Sequence, residues 1–124
     1  MLKLLLDEHI SLAVATGLRR RNRQLVVLSM AEWEDGEFLG EEDSACLSQA
    51  ATQGLTLVTY DRRPIPLLLK TWGEEQRKHG GVIFVDDRTI SDAGGLILSL
   101  TDLSRKTANC DWTDRICFLR RRHQ

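Results

Sequence analysis

Three apolar runs in this chain stop at an aspartate: Met1 to Leu6 before Asp7, Leu55 to Tyr60 before Asp61, and Val82 to Val85 before Asp86. A fourth acid, Asp43, heads a segment in which Ala45, Leu47, Ala50 and Ala51 recur at helical spacing. An aspartate after a strand often does no more than cap the next helix. Asp7, Asp43 and Asp61 acting together suggest more, because three carboxylates gathered at one edge repel one another unless a cation lies between them. Oxygen donors without a cysteine or histidine pair favour a hard divalent ion, Mg2+ or Mn2+, which also binds phosphate oxygens. Such an ion orients water for attack on a phosphodiester, so hydrolysis of RNA or DNA is the reaction class these residues imply.

The elements that would position these acids follow from the pattern of apolar residues. Leu4-Leu5-Leu6 reads as a strand buried on both faces. A helix follows, with Ser11 as its cap, Leu12, Val14, Ala15 and Leu18 as its apolar face, and Arg19 to Arg23 near its carboxyl end, where cations complement the dipole. Leu25 to Leu28 is a second strand, and Ser29 to Gly40 a loop over the sheet edge. The helix headed by Glu41-Glu42-Asp43-Ser44 is closed by Gly54. Leu55 to Tyr60 is the third strand. Pro64 and Pro66 open a third helix with Leu67, Leu68, Leu69 and Trp72 on its apolar side and Gly80-Gly81 at its end. Val82 to Val85, a helix from about Asp92 carrying Leu96, Ile97, Leu100 and Leu103, and a last strand Ile116 to Leu119 complete the chain. This alternation predicts one α/β domain over 1–124, a parallel sheet with helices on both faces, whose functional crevice lies beyond the carboxyl ends of the strands.

Composition narrows the function classes. The chain has 124 residues, 42% hydrophobic and 28% charged, and a net charge of -1, so no overall electrostatic pull toward nucleic acid exists. Two local basic runs, Arg19 to Arg23 and Arg120-Arg121-Arg122-His123, are helix ends or tails, or else rims that touch phosphate. Cys46, Cys110 and Cys117 include no C-x-x-C pair and no histidine at ligand spacing, which argues against zinc. No apolar run approaches a membrane span and the amino terminus enters a strand pattern at once, so a cytoplasmic protein with reduced thiols and no membrane partner is expected.

Leu4-Leu5-Leu6-Asp7-Glu8, the acidic patch ending in Asp43, and Leu57-Val58-Thr59-Tyr60-Asp61-Arg62 together resemble the PIN domain superfamily, most closely its short bacterial and archaeal PIN-like branch. The resemblance runs through nearly the whole chain in element order. It implies a three-layer α/β/α fold with a central parallel sheet of about five strands and, in active members, a metal-dependent ribonuclease, often the toxin of a toxin-antitoxin pair. It further implies that Asp7, Asp43 and Asp61 are the catalytic and Mg2+- or Mn2+-binding acids, that Thr59 is the hydroxyl residue of the third motif, and that RNA, an antitoxin protein and a second copy of the chain are partners. One departure stands out. Where the family pattern places a further aspartate followed by an aromatic, this chain has Arg63-Pro64, and an arginine there relieves repulsion among the acids without an ion. Asp86 or Asp87 would then supply the missing charge.

Other residues carry two readings each. Glu8 and Glu42 adjoin the proposed ligands and are either supporting acids or exposed helix-start acids. His9 either steers a water or sits on the surface. Arg62, Arg63 and Lys70 either contact a nucleic-acid backbone or form a solvated face. Trp33, Trp72 and Trp112 either stack on bases or, as is expected for most of them, pack in the core or at an interface, with exposed Trp33 or Phe38 as apolar contacts for a dimer. Two alternatives to a nuclease remain: a catalytically degenerate PIN-like binding or regulatory domain, motivated by Arg63, and a receiver-type phosphoacceptor, which lacks the lysine it needs after Leu119.

Overall fold

The computed structural model describes residues 2–60, 64–85 and 92–119. Five strands, β1 (Lys3–Leu6), β2 (Val26–Ser29), β3 (Thr56–Thr59), β4 (Val82–Val85) and β5 (Ile116–Leu119), pair entirely in parallel in the order β2-β1-β3-β4-β5. The helices α1 (Leu12–Arg21), α2 (Asp43–Gln53), α3 (Pro64–Glu74) and α4 (Ala93–Lys106) flank the sheet on both faces, giving the expected three-layer α/β/α architecture. Parallel strands covered on both sides must be apolar on both sides. Accordingly Leu4, Leu5 and Leu6 are all fully buried, Leu4 and Leu6 against one helical layer and Leu5 against the other.

The two layers divide the core. Val14, Ala15 and Leu18 of α1 and Leu96 and Leu100 of α4 share one cluster with Leu4, Leu6, Val58, Ile83 and Val85. Cys46, Leu47 and Ala50 of α2 and Ile65, Leu69 and Trp72 of α3 share the other with Leu5, Leu57, Val82 and Phe84. Since α1 leads outward to β2 at one edge and α4, on the same face, leads outward to β5 at the other, these two crossovers have opposite hands. Parallel crossovers overwhelmingly share one hand. The consequence is local: among the described residues no helix lies on the face of β5 opposite α4, where a crossover of the usual hand would put one, and Ile116 and Phe118 on that face are 47% and 66% exposed.

The helix ends follow sequence chemistry. The Ser11 hydroxyl accepts from the Ala13 amide at the start of α1, and Gly54, left-handed at φ 68, ends α2 as Leu55 N–H donates to the Ala50 carbonyl at 2.9 Å. The third helix stops earlier than Gly80-Gly81. Gln76 takes the left-handed conformation, and the Arg77 amide donates to the Trp72 carbonyl at 2.8 Å, closing the helix after Glu74 without a glycine. Three further expectations need correction. Leu12 is 56% exposed because it precedes the turn of α1 that packs on the sheet, and Leu67 is turned to solvent while Ile65 enters the core in its place. Trp33, offered as an exposed dimer contact, is buried, its indole N–H donating to Gln53 Oε1 at 2.9 Å and its ring stacked on half-buried Phe38. Trp72 and Trp112 are buried as expected. Among the described residues, no helix is long and apolar enough to cross a membrane.

An edge strand exposes unpaired backbone groups, and β2 has them filled. Arg19 from α1 donates to the Val27 carbonyl at 2.6 Å and pairs with Glu32 at 2.8 Å, while Glu32 accepts from the Ser29 amide and hydroxyl at 3.2 and 2.9 Å. The Arg19 guanidinium and the Ser29 donors hold the Glu32 carboxyl down at about 2, from an ordinary 4.5. A depressed folded pKa stabilises above the unfolded value and ceases to do so as pH falls through the folded one. Wild type should therefore be more stable than Glu32→Gln at neutral pH, with the gap narrowing below about 4.5 and closing toward 2; urea denaturation of both proteins near pH 7 and pH 3 checks this, and a gap that does not change with pH contradicts it.

Candidate functional site

In a doubly wound sheet the crevice opens where strand order reverses, here between β1 and β3 at their carboxyl ends. Asp7 follows β1 directly, its amide donating to the Val58 carbonyl of β3 at 3.0 Å. Register sets Leu6 opposite Val58, so the next residue on each strand, Asp7 and Thr59, meet. The buried Thr59 hydroxyl donates to Asp7 Oδ2 at 2.7 Å, and the Glu8 amide donates to Oδ1 at 2.7 Å. Each carboxylate oxygen thus receives one hydrogen bond and keeps lone-pair capacity for another partner. Thr59 is conformationally suited to this task, being β-branched and held in a fully buried strand.

Asp43 arrives from the opposite direction, as the first residue of α2, where the helix dipole favours a negative charge. A turn in which the Glu41 amide donates to the Phe38 carbonyl at 3.2 Å brings the preceding loop over the same edge. Asp7, Glu8, Glu41 and Asp43 line one cleft together with Met30, Phe38, Gly40, Cys46, Leu57 and Ile65. Its volume of about 30 Å³ is on the order of a single water molecule, too small for a base or sugar.

Cys46 reports the field inside. Burial, reinforced by the negative charges of Asp43, Asp7, Glu41 and Glu8, pushes its thiol up to about 11. The thiol proton is kept and directed at the Phe38 carbonyl, 3.8 Å away, so at neutral pH the cleft offers carboxylate oxygens and no thiolate. This donor set fits an oxygen-seeking divalent cation and not a thiophilic one. Among the described residues no group of three or more His, Cys, Asp or Glu side chains converges as a metal site. Magnesium does not require one, since it is commonly held by one or two carboxylates with water completing its shell.

Of the residues singled out in the sequence, Asp7, Asp43, Thr59 and Glu8 meet at this edge. Glu42 is exposed at the cap of α2, where its carbonyl accepts from Ala45 and Cys46, and Glu41 lines the cleft in its place. His9 is exposed, with Nε2 4.0 Å from Glu8. Lys70 is exposed on α3, roughly 140° around the helix from the cleft-lining Ile65. Asp61, Arg62, Arg63, Asp86 and Asp87 lie outside the described residues, as does the basic run from Arg120. Glu41 and Cys46 are the ionisable cleft residues to which sequence reasoning gave no role; the spacing of Cys46 three places after Asp43, on one face of the helix, was the available signal for the second.

No family model, no curated protein and no solved structure matches this chain.

A thiol at about 11 has roughly a hundredth of the thiolate of one at 9.0 near pH 8. Iodoacetamide should therefore alkylate Cys46 at least about a hundredfold more slowly than a free model thiol, and Asp43→Asn should recover only part of that rate, because burial is the larger cause. Peptide mapping of time-resolved alkylation decides it; a Cys46 that labels at the model rate would contradict the acidic, closed cleft.

Proposed function

We propose that this chain is a PIN-like nuclease that hydrolyses phosphodiester bonds, with RNA as its substrate and Mg2+ or Mn2+ as its cofactor. The observation that carries this reading is the meeting of Asp7 and Asp43 in one cleft at the strand-order reversal, with Asp7 oriented by the Thr59 hydroxyl. The T-x-D sequence of Thr59 and Asp61 adds the third acid of the resemblance.

When bound, the ion supplies an activated water and neutralises charge developing on the phosphate. The chain's own residues do the rest. Asp7 and Asp43 would present oxygen ligands, and the resemblance adds Asp61 as the third acid. Thr59 holds the Asp7 carboxylate in one orientation, as a hydrogen-bonded neighbour of a ligand commonly does. Cys46 stays a neutral thiol and closes the cleft floor with Met30, Phe38, Leu57 and Ile65, limiting entry to water and an ion. Arg62 and Arg63, adjoining Asp61 in sequence, are the proposed contacts for a phosphate backbone, and Glu8 and Glu41 are flanking acids of the cleft. The three cysteines are free, in keeping with a reducing cytoplasmic setting. The same resemblance suggests an antitoxin protein and a homodimer.

The degenerate, non-catalytic reading is favoured by one observation, the Arg63-Pro64 pair standing where the family pattern has an aspartate and an aromatic. A fluorogenic RNA cleavage assay with Mg2+ or Mn2+ separates the two. The nuclease reading predicts metal-dependent cleavage, reduced roughly 10- to 100-fold in Thr59→Val and more in Asp7→Asn. Cleavage that survives Asp7→Asn, or that is absent from a folded wild type, would reject it.

A further inference from the structure

The two edges of the sheet are treated differently. At β2 the outward Val27 carbonyl and Ser29 amide are occupied by Arg19 and Glu32. At β5 the Val82 amide donates to the Arg115 carbonyl, which fixes the parity of the ladder: Arg115, Cys117 and Leu119 turn their backbone groups to β4, and Ile116 and Phe118 turn theirs outward. Among the described residues no side chain fills those outward groups. The same two residues carry the exposed apolar side chains of the bare sheet face, Phe118 stacked on Phe84 at 5.2 Å between ring centroids.

Beside this strand runs an open groove of about 450 Å³ between the end of α3 and β5, with Leu69, Gly73 and Ile116 as its apolar lining and Arg77, Lys78 and His79 as its polar one. Asp114 is the carboxylate of that lining, and it is engaged, accepting from the His79 amide at 3.0 Å. The Arg77 guanidinium rests on the Trp72 ring at 4.1 Å, with a Glu75 carboxylate oxygen 3.9 Å away, which places its charge beside the groove. Arg115 stands at one end of β5, and in the sequence Arg120-Arg121-Arg122 follows its other end. A row of outward backbone groups, an apolar floor and the cations Arg77, Lys78 and Arg115 specify an occupant.

We propose that β5 is a docking edge for a partner protein segment that adds in extended conformation as a sixth strand and alternates apolar with acidic side chains. Its backbone pairs with the outward groups of Ile116 and Phe118, one apolar side chain enters the groove against Leu69 and Ile116, and its acids face Arg77, Lys78 and Arg115. A second copy of this chain fits less well. Pairing β5 with the β5 of a second copy would bring together two edges that each carry Arg77, Lys78 and Arg115, and like charges brought together across strands destabilise.

The test uses the whole chain and a fluorescein-labelled seven-residue peptide alternating valine with glutamate, its counterpart with lysine for glutamate serving as control. Fluorescence anisotropy should show saturable binding of the acidic peptide, at least about tenfold weaker binding of the lysine peptide, and a loss of similar size in Lys78→Glu. Phe118→Pro removes an outward amide and spares the β4 ladder, so it too should weaken binding at least about tenfold. Hydrogen exchange at the Ile116 and Phe118 amides should slow when the acidic peptide is added, a readout on wild type that does not depend on any variant folding. Failure of the acidic peptide to bind, equal binding of both peptides, or unchanged exchange at those amides overturns the proposal. A concentration-dependent dimer in sedimentation that Phe118→Pro dissociates would also overturn it, assigning the edge to a second copy.

Discussion

The complete burial of β1 constrains everything else in this molecule. Leu4, Leu5 and Leu6 point alternately into two separate clusters, so the strand must have a helical layer on each face and a parallel neighbour on each side. A run so buried cannot continue into a charged residue except at the rim of the sheet, where water returns. Asp7 is therefore forced to the carboxyl edge, at the point where the chain's order reverses, and the register with β3 delivers Thr59 to it. The orientation of the acid follows from the pairing of two apolar strands.

The second consequence of this architecture is asymmetry. On the α2–α3 side the loop ending at Gly40 folds over the crevice and shuts it down to about the volume of one water, leaving carboxylates and a thiol that cannot easily ionise. On the same side at the far edge, β5 is uncovered because α4 packs beside α1. Closure at one place and exposure at another arise from where the four helices are shared between two faces. The molecule spends charged side chains on protecting β2, through Arg19 and Glu32, and none of the described ones on β5.

Much of this was legible in the residues. Continuous apolar runs marked the buried strands, Ser11 and Gly54 marked the helix ends they occupy, and the position of Asp7 after Leu4-Leu5-Leu6 is enough to put it on the rim. What was not legible depends on tertiary neighbours. An apolar stripe is the same whether a helix lies on one face of a sheet or the other, so Leu96 and Leu100 could not reveal that α4 joins α1. Leu12 and Leu67 look like core residues until the packing of the adjacent turns is known, and Trp33 looks like a surface aromatic until Gln53, twenty residues later, is seen to accept its N–H. Gln76 ends α3 where only a glycine would have signalled an end. Glu41, which lines the cleft from a turn and not from a helix, has no periodicity to betray it.

The central proposal is that the edge organised around Asp7 holds a divalent cation through its carboxylates. Isothermal calorimetry with Mn2+ and with Mg2+ addresses it directly, comparing wild type with Asp43→Asn, whose fold is monitored by circular dichroism. The account predicts saturable binding near one or two ions per chain in wild type, weakened at least about tenfold in the variant. A folded wild type that binds neither ion, or an Asp43→Asn protein that binds them equally well, would contradict it.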